Sequence, residues 1–93
     1  MSKYQKMLLK YAYDNYLKTS KLECKFLPQN GDMLMHSLTA AELLQNDDYI
    51  EVYSDNLYQN TLNIVKNTII SDDIIIWFKL TQKGLDFART NFE

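Results

Sequence analysis

Cysteine, proline, glycine and histidine are all scarce in this 93-residue chain, and each scarcity excludes something. With Cys24 alone, no intrachain disulfide can form, a pattern that fits a reducing compartment and predicts a cytoplasmic protein. With one cysteine and His36 as the sole histidine, no Cys/His zinc site can be built from one chain. Gly31 and Gly84 are too few for a phosphate-cradling loop. A lone histidine lacks the partners that acid–base or nucleophilic catalysis requires, and His36 sits among Met33, Leu34, Met35 and Leu38. Cys24 alternates with Leu22 and Phe26, as a buried small hydrophobe would. Asp47-Asp48 and Asp72-Asp73 do not match a calcium loop, whose ligands are spread over about twelve residues around a glycine. The expectation is a non-catalytic protein with no metal and no cofactor. No apolar run reaches the length of a transmembrane helix, so no membrane partner is expected. The first residues, MSKYQKMLLKYAYDNY, are too polar and tyrosine-rich to read as a signal peptide.

What is present is 46% hydrophobic content with seven tyrosines, enough for one folded domain over residues 1–93. Its charge is unevenly spread around a net −2. Residues 1–25 carry six lysines against Asp14 and Glu23, residues 26–78 carry eight acids against Lys66, and residues 79–93 return to +1. The middle is acidic and the ends are basic.

Periodicity predicts a helix over 3–18, with Tyr4, Leu8, Tyr11 and Tyr16/Leu17 near one stripe and Met7 and Ala12 beside it. Leu9 and Tyr13 extend the apolar surface to a second side, facing either the chain's own core or another subunit. Alternation at Leu22, Cys24 and Phe26 predicts a strand over 21–27. Pro28 to Asp32 reads as a turn with Asn30-Gly31 in left-handed positions, followed by a second short strand over 33–38. Thr39-Ala40-Ala41-Glu42 reads as a capping box, so a short helix is expected from Ala40 to between Asn46 and Tyr49. Ser54 or Asp55 then caps a helix over 55–67, with Tyr58, Leu62, Val65 and Ile69 on one face. Ile69-Ile70, Ser71-Asp72-Asp73 and Ile74 to Leu80 read as a hairpin. Thr81 or Gln82 caps a last helix to about Asn91, with Leu85, Phe87 and Ala88 apolar.

The stretches "SLTAAELL" (37–44), "NTLNIVKNTII" (60–70) and "IIIWFKLTQKGLDFA" (74–88) resemble the winged helix-turn-helix family, in particular small bacterial and phage proteins of MarR and PadR type. In that likeness they are the start of the first helix-turn-helix helix, the recognition helix running into a wing strand, and the return strand with an "LT-x-K-G" entry to the closing helix. The link from Asp47 to Tyr53 is longer than the family's tight turn, and Tyr49 to Tyr53 reads alternatively as a strand. The resemblance implies an α+β winged helix-turn-helix domain, its helices packed on a small antiparallel sheet with a β-hairpin wing. It further implies a DNA-binding regulator of transcription, and we expect it to act as a homodimer through the first and last helices. Carried over, the groove-facing residues are Asn56, Gln59, Asn60, Asn63 and Lys66, since asparagine and glutamine can bond adenine edges. Lys3, Lys6 and Lys10 are auxiliary phosphate contacts. The alternative is an acidic protein-interaction module that meets a basic partner through residues 47–55. Trp77 is read as sheet packing, or, if exposed, as part of a partner surface.

Overall fold

A computed structural model describes residues 1–53 and 75–93. Among these the chain runs α1 (Lys3–Thr19), β1 (Glu23–Phe26), α2 (Gly31–Asn46), β2 (Ile50–Val52), β3 (Ile76–Leu80) and α3 (Gln82–Phe92). It is an α+β arrangement of helices on a three-stranded antiparallel sheet. The sheet order is β1-β3-β2, so β3 is central and pairs on both sides. Phe78 lies between Cys24 and Val52, and Lys79 between Glu23 and Glu51.

Strand alternation sorts β3 into two faces. Ile76, Phe78 and Leu80 point inward and are almost wholly excluded from solvent, while Trp77 points outward and is exposed. Each buried side chain of this size contributes about 1.5–3 kcal/mol relative to exposure. Leu8, Leu9, Ala12 and Tyr13 of α1 meet this face together with Leu34, Leu38, Ala41 and Leu44 of α2 and Leu85 and Ala88 of α3. The second apolar side of α1, Leu9 and Tyr13, therefore faces its own domain. α1 and α3 also pack on each other, and the Tyr13 hydroxyl donates to Glu93 Oε1. That bond to a carboxylate, with burial beside it, raises the Tyr13 pKa above the ordinary tyrosine value.

Local chemistry accounts for the helix ends. Ser2 and Gln5 form a capping box on α1: the Gln5 amide donates to Ser2 Oγ at 3.2 Å and the Ser2 amide to Gln5 Oε1 at 2.7 Å. Ser20 stops the helix in the left-handed region, φ 60°, with its amide donating to Tyr16 O.

The segment 28–46 corrects three expectations. There is no strand over 33–38; α2 runs unbroken from Gly31 to Asn46. Asn30 is not in a left-handed turn but extended, φ −155°, and its Oδ1 accepts the Met33 amide at 2.8 Å as the N-cap. Thr39 is mid-helix, its Oγ1 donating back to Met35 O at 3.1 Å, so the capping box at Thr39 and Glu42 does not exist as an N-terminus. "SLTAAELL" is thus the second half of one 16-residue helix. The signal for it was there: Leu34, Ser37, Leu38, Ala41 and Leu44 fall at i, i+3, i+4, i+7 and i+10 and all are buried. The alternative strand within 49–53 is what the chain forms, as β2. The helix expected over 55–67 and the outgoing half of the hairpin at 69–73 lie outside the described residues.

Two substitutions test this packing in opposite directions. Ser37 is fully buried, and among the described residues its Oγ has no hydrogen-bond partner. Ser37→Ala removes an unsatisfied hydroxyl and adds helix propensity, so urea unfolding should show about 1 kcal/mol more stability. At Gly84 a Cβ would lie 2.0 Å from the Tyr49 carbonyl oxygen. Gly84→Ala should therefore lose about 2–3 kcal/mol through forced backbone movement, although alanine is the better helix former. A gain at position 84 would refute the close approach.

Candidate nucleic-acid interface

The cations of the first helix come together where the sequence placed them. Lys3, Lys6 and Lys10 are spaced i, i+3 and i+7 and lie on the exposed side of α1, opposite the buried stripe of Leu8, Leu9 and Ala12. Lys10 is 4.0 Å from Asp14 with both side chains more than half exposed, a contact that barely neutralises it. Lys3 Nζ lies 5.8 Å from the centre of the Tyr4 ring. Among the described residues Lys3 and Lys6 have no ion-pair partner. Asn56, Gln59, Asn60, Asn63 and Lys66, expected on the recognition helix, lie outside the described residues, as do Asp55, Asp72 and Asp73.

The acidic link after α2 has a different environment from the one its sequence suggests. Asp47 and Asp48 turn the chain, with Asp48 at φ 65°, and deliver Tyr49 to β2. Cations from the far end of the chain meet this corner. Lys79 Nζ lies 3.0 Å from Glu51, which holds the lysine pKa above its usual value. Lys83 Nζ donates to the Asp47 carbonyl at 2.7 Å and lies 4.5 Å from the Tyr49 ring centre. The acidic surface of residues 47–51 is therefore partly offset, which sequence order alone, with Lys79 and Lys83 some thirty residues away, could not show.

The same corner explains "LTQKG". Leu80 ends β3 in the core. Thr81 caps α3, accepting the Gly84 amide at 3.1 Å while its hydroxyl donates to the Asp48 carbonyl and its amide to Tyr49 O at 3.2 Å. Lys83 adds the bond to Asp47, and Gly84 lets the helix backbone touch Tyr49. These residues join α3 to the α2–β2 corner.

Helix side chains satisfy the sheet's edges. On β1, Tyr11 Oη donates to Lys25 O at 2.9 Å and Asn15 Nδ2 to Glu23 O at 2.9 Å. On β2, the Val52 amide donates to Gln45 Oε1 at 2.8 Å. Partners of this kind protect a short sheet from pairing with other strands. The outward face of the sheet carries Lys25 Nζ 4.9 Å from the Trp77 ring, with the Tyr53 ring 5.0 Å away on Trp77. Trp77 and Tyr53 are both exposed, so Trp77 belongs to a surface row rather than to the core.

His36 is exposed and stacked on Tyr4, with ring centres 4.5 Å apart and planes within 5°. Among the described residues no cluster of His, Cys, Asp or Glu could hold a metal ion, and no helix is long and apolar enough to cross a membrane. No known protein family, curated protein or solved structure matches the chain.

Burial pushes the Cys24 thiol up from 9.0 to about 12. A thiolate fraction roughly a thousandfold below that of an unhindered cysteine follows, because each pKa unit is a factor of ten. Native protein at pH 8 should leave an aromatic disulfide reagent almost unreacted until urea exposes the thiol. Prompt stoichiometric reaction without denaturant would contradict the burial.

Proposed function

We propose that the chain is a small winged-helix-type DNA-binding regulator without catalytic activity. The observation that carries this reading is the exposed stripe of Lys3, Lys6 and Lys10 on one helix, with Lys10 lying 4.0 Å from Asp14. Lysines so arranged can follow a phosphate backbone, the main source of affinity for duplex DNA. The ion pair of Lys79 with Glu51 supports it further, because it reduces the repulsion that residues 47–51 would exert on phosphates. The base-reading roles of Asn56, Gln59, Asn60, Asn63 and Lys66 belong to the same proposal and rest on the family resemblance. So does assembly as a homodimer, which light scattering would measure.

A second reading is a protein-interaction module without DNA affinity. The exposed row of Lys25, Trp77 and Tyr53 favours it more than the acidic segment does, since exposed aromatic side chains commonly anchor protein interfaces.

Anisotropy titration against AT-rich duplex at several salt concentrations separates the two. A DNA binder should lose affinity as a power of salt concentration, each phosphate contact contributing a log–log slope of about −0.9. The triple substitution Lys3→Glu/Lys6→Glu/Lys10→Glu should flatten that slope by about 2–3 and weaken binding at least tenfold at low salt. No binding by a well-folded protein at low salt would remove the regulator reading.

A further inference from the structure

The outward face of the sheet carries two cross-strand rows of side chains. Register places Glu23, Lys79 and Glu51 side by side across β1, β3 and β2. Two residues along each strand, Lys25 pairs with Trp77, and the Tyr53 amide donates to Trp77 O at 2.9 Å from the other side. Alternation puts all six on the face opposite Cys24, Phe78 and Ile50, which enter the core. Trp77 remains 43% exposed and Tyr53 41%, large aromatic side chains that a second surface would shield. Contacts within the chain already hold the rows in place: Lys79 Nζ is 3.0 Å from Glu51, and Lys25 Nζ lies over the Trp77 ring.

The two rows complement each other. From β1 to β2 one reads acid, cation, acid, and the other cation, indole, phenol. We infer that this face is the contact between two copies of the chain, related by a twofold axis that crosses the strands midway between the rows. That operator lays each row of one copy over the other row of its partner. Glu23 meets the partner's Lys25, Trp77 meets the partner's Lys79, and Tyr53 meets the partner's Glu51. These are an ion pair, a cation–π contact and a hydroxyl-to-carboxylate hydrogen bond, each made twice. The strands of the two sheets stay aligned, and side chains of this length span the roughly 10 Å between packed sheets. Charge excludes the other twofold that would overlap all three strands. An axis along β3 sets Glu23 against the partner's Glu51 and Lys79 against the partner's Lys79. The inference deepens the second reading above, from which it takes the exposed aromatic row, and it does not depend on DNA binding.

Trp77 is the sole tryptophan, so its indole reports on this face directly. Six side chains make a patch smaller than the roughly 800 Å² per partner of a standard interface, so a weak dimer with a Kd of about 0.1 mM is expected. Diluting the full chain from about 1 mM to about 10 µM should move the Trp77 indole N–H resonance and take the sedimentation mass from dimer to monomer. Added salt should weaken the dimer, because the contacts it screens are charged. Glu23→Lys and Lys25→Glu should each raise the Kd about tenfold by setting like charges face to face. An equimolar mixture of the two should associate about as tightly as the unaltered chain, because the reversed charges pair again. Should either reversal unfold the chain, Glu23→Gln and Lys25→Gln should each raise the Kd about threefold. A chain that stays monomeric at about 1 mM overturns the inference. So does a dimer indifferent to these substitutions, as one built on α1 and α3 would be, or two folded reversals that do not associate on mixing. It is overturned too if single-stranded DNA moves the indole resonance while dilution does not. A failed duplex titration leaves each of these outcomes as it stands, which keeps this test distinct from that of the regulator.

Discussion

Strand β3 is the element on which the rest depends. β1 and β2 do not pair with each other; each is hydrogen-bonded to β3, and without it there is no sheet. Its inward residues Ile76, Phe78 and Leu80 are among the most deeply buried in the structure and contact side chains carried by the helices. The close of β3 also sets the next element. Leu80 remains in the core, Thr81 turns the chain, and Gly84 brings α3 against Tyr49. A strand, a cap and a close approach within nine residues thus connect both sheet edges, the α2–β2 corner and the last helix.

That arrangement limits where recognition can occur. The core faces of α1, α2 and α3 are occupied by one another and by the sheet, and three helix side chains satisfy polar groups along the sheet's outer edges. Among the described residues, the exposed surfaces include the lysine side of α1 and the aromatic row on the outward sheet face. Cys24 is buried under the sheet's inner face, and His36 is exposed and stacked on Tyr4.

Local signals in the sequence determined α1, β1, β3 and α3. The Tyr4–Tyr16 periodicity, the Leu22–Cys24–Phe26 alternation, the apolar run ending at Leu80 and the Thr81 cap act over a few residues and survive folding. Exposure of Lys3, Lys6 and Lys10 was legible for the same reason, because a helical stripe opposite an apolar one faces outward. Tertiary structure decided the rest. Asn30-Gly31 suits a left-handed turn and an N-cap equally well, and burial of Leu34, Leu38, Ala41 and Leu44 selects the helix that starts there. Thr39 and Glu42 match a capping box in spacing, yet the helix already continues through them. The pairing of Glu51 with Lys79 and the contact of Lys83 with Asp47 join residues distant in the chain. The Glu51–Lys79 pair exists only once β2 lies against β3, because pairing across a sheet is set by the whole chain's packing rather than by any neighbour in sequence.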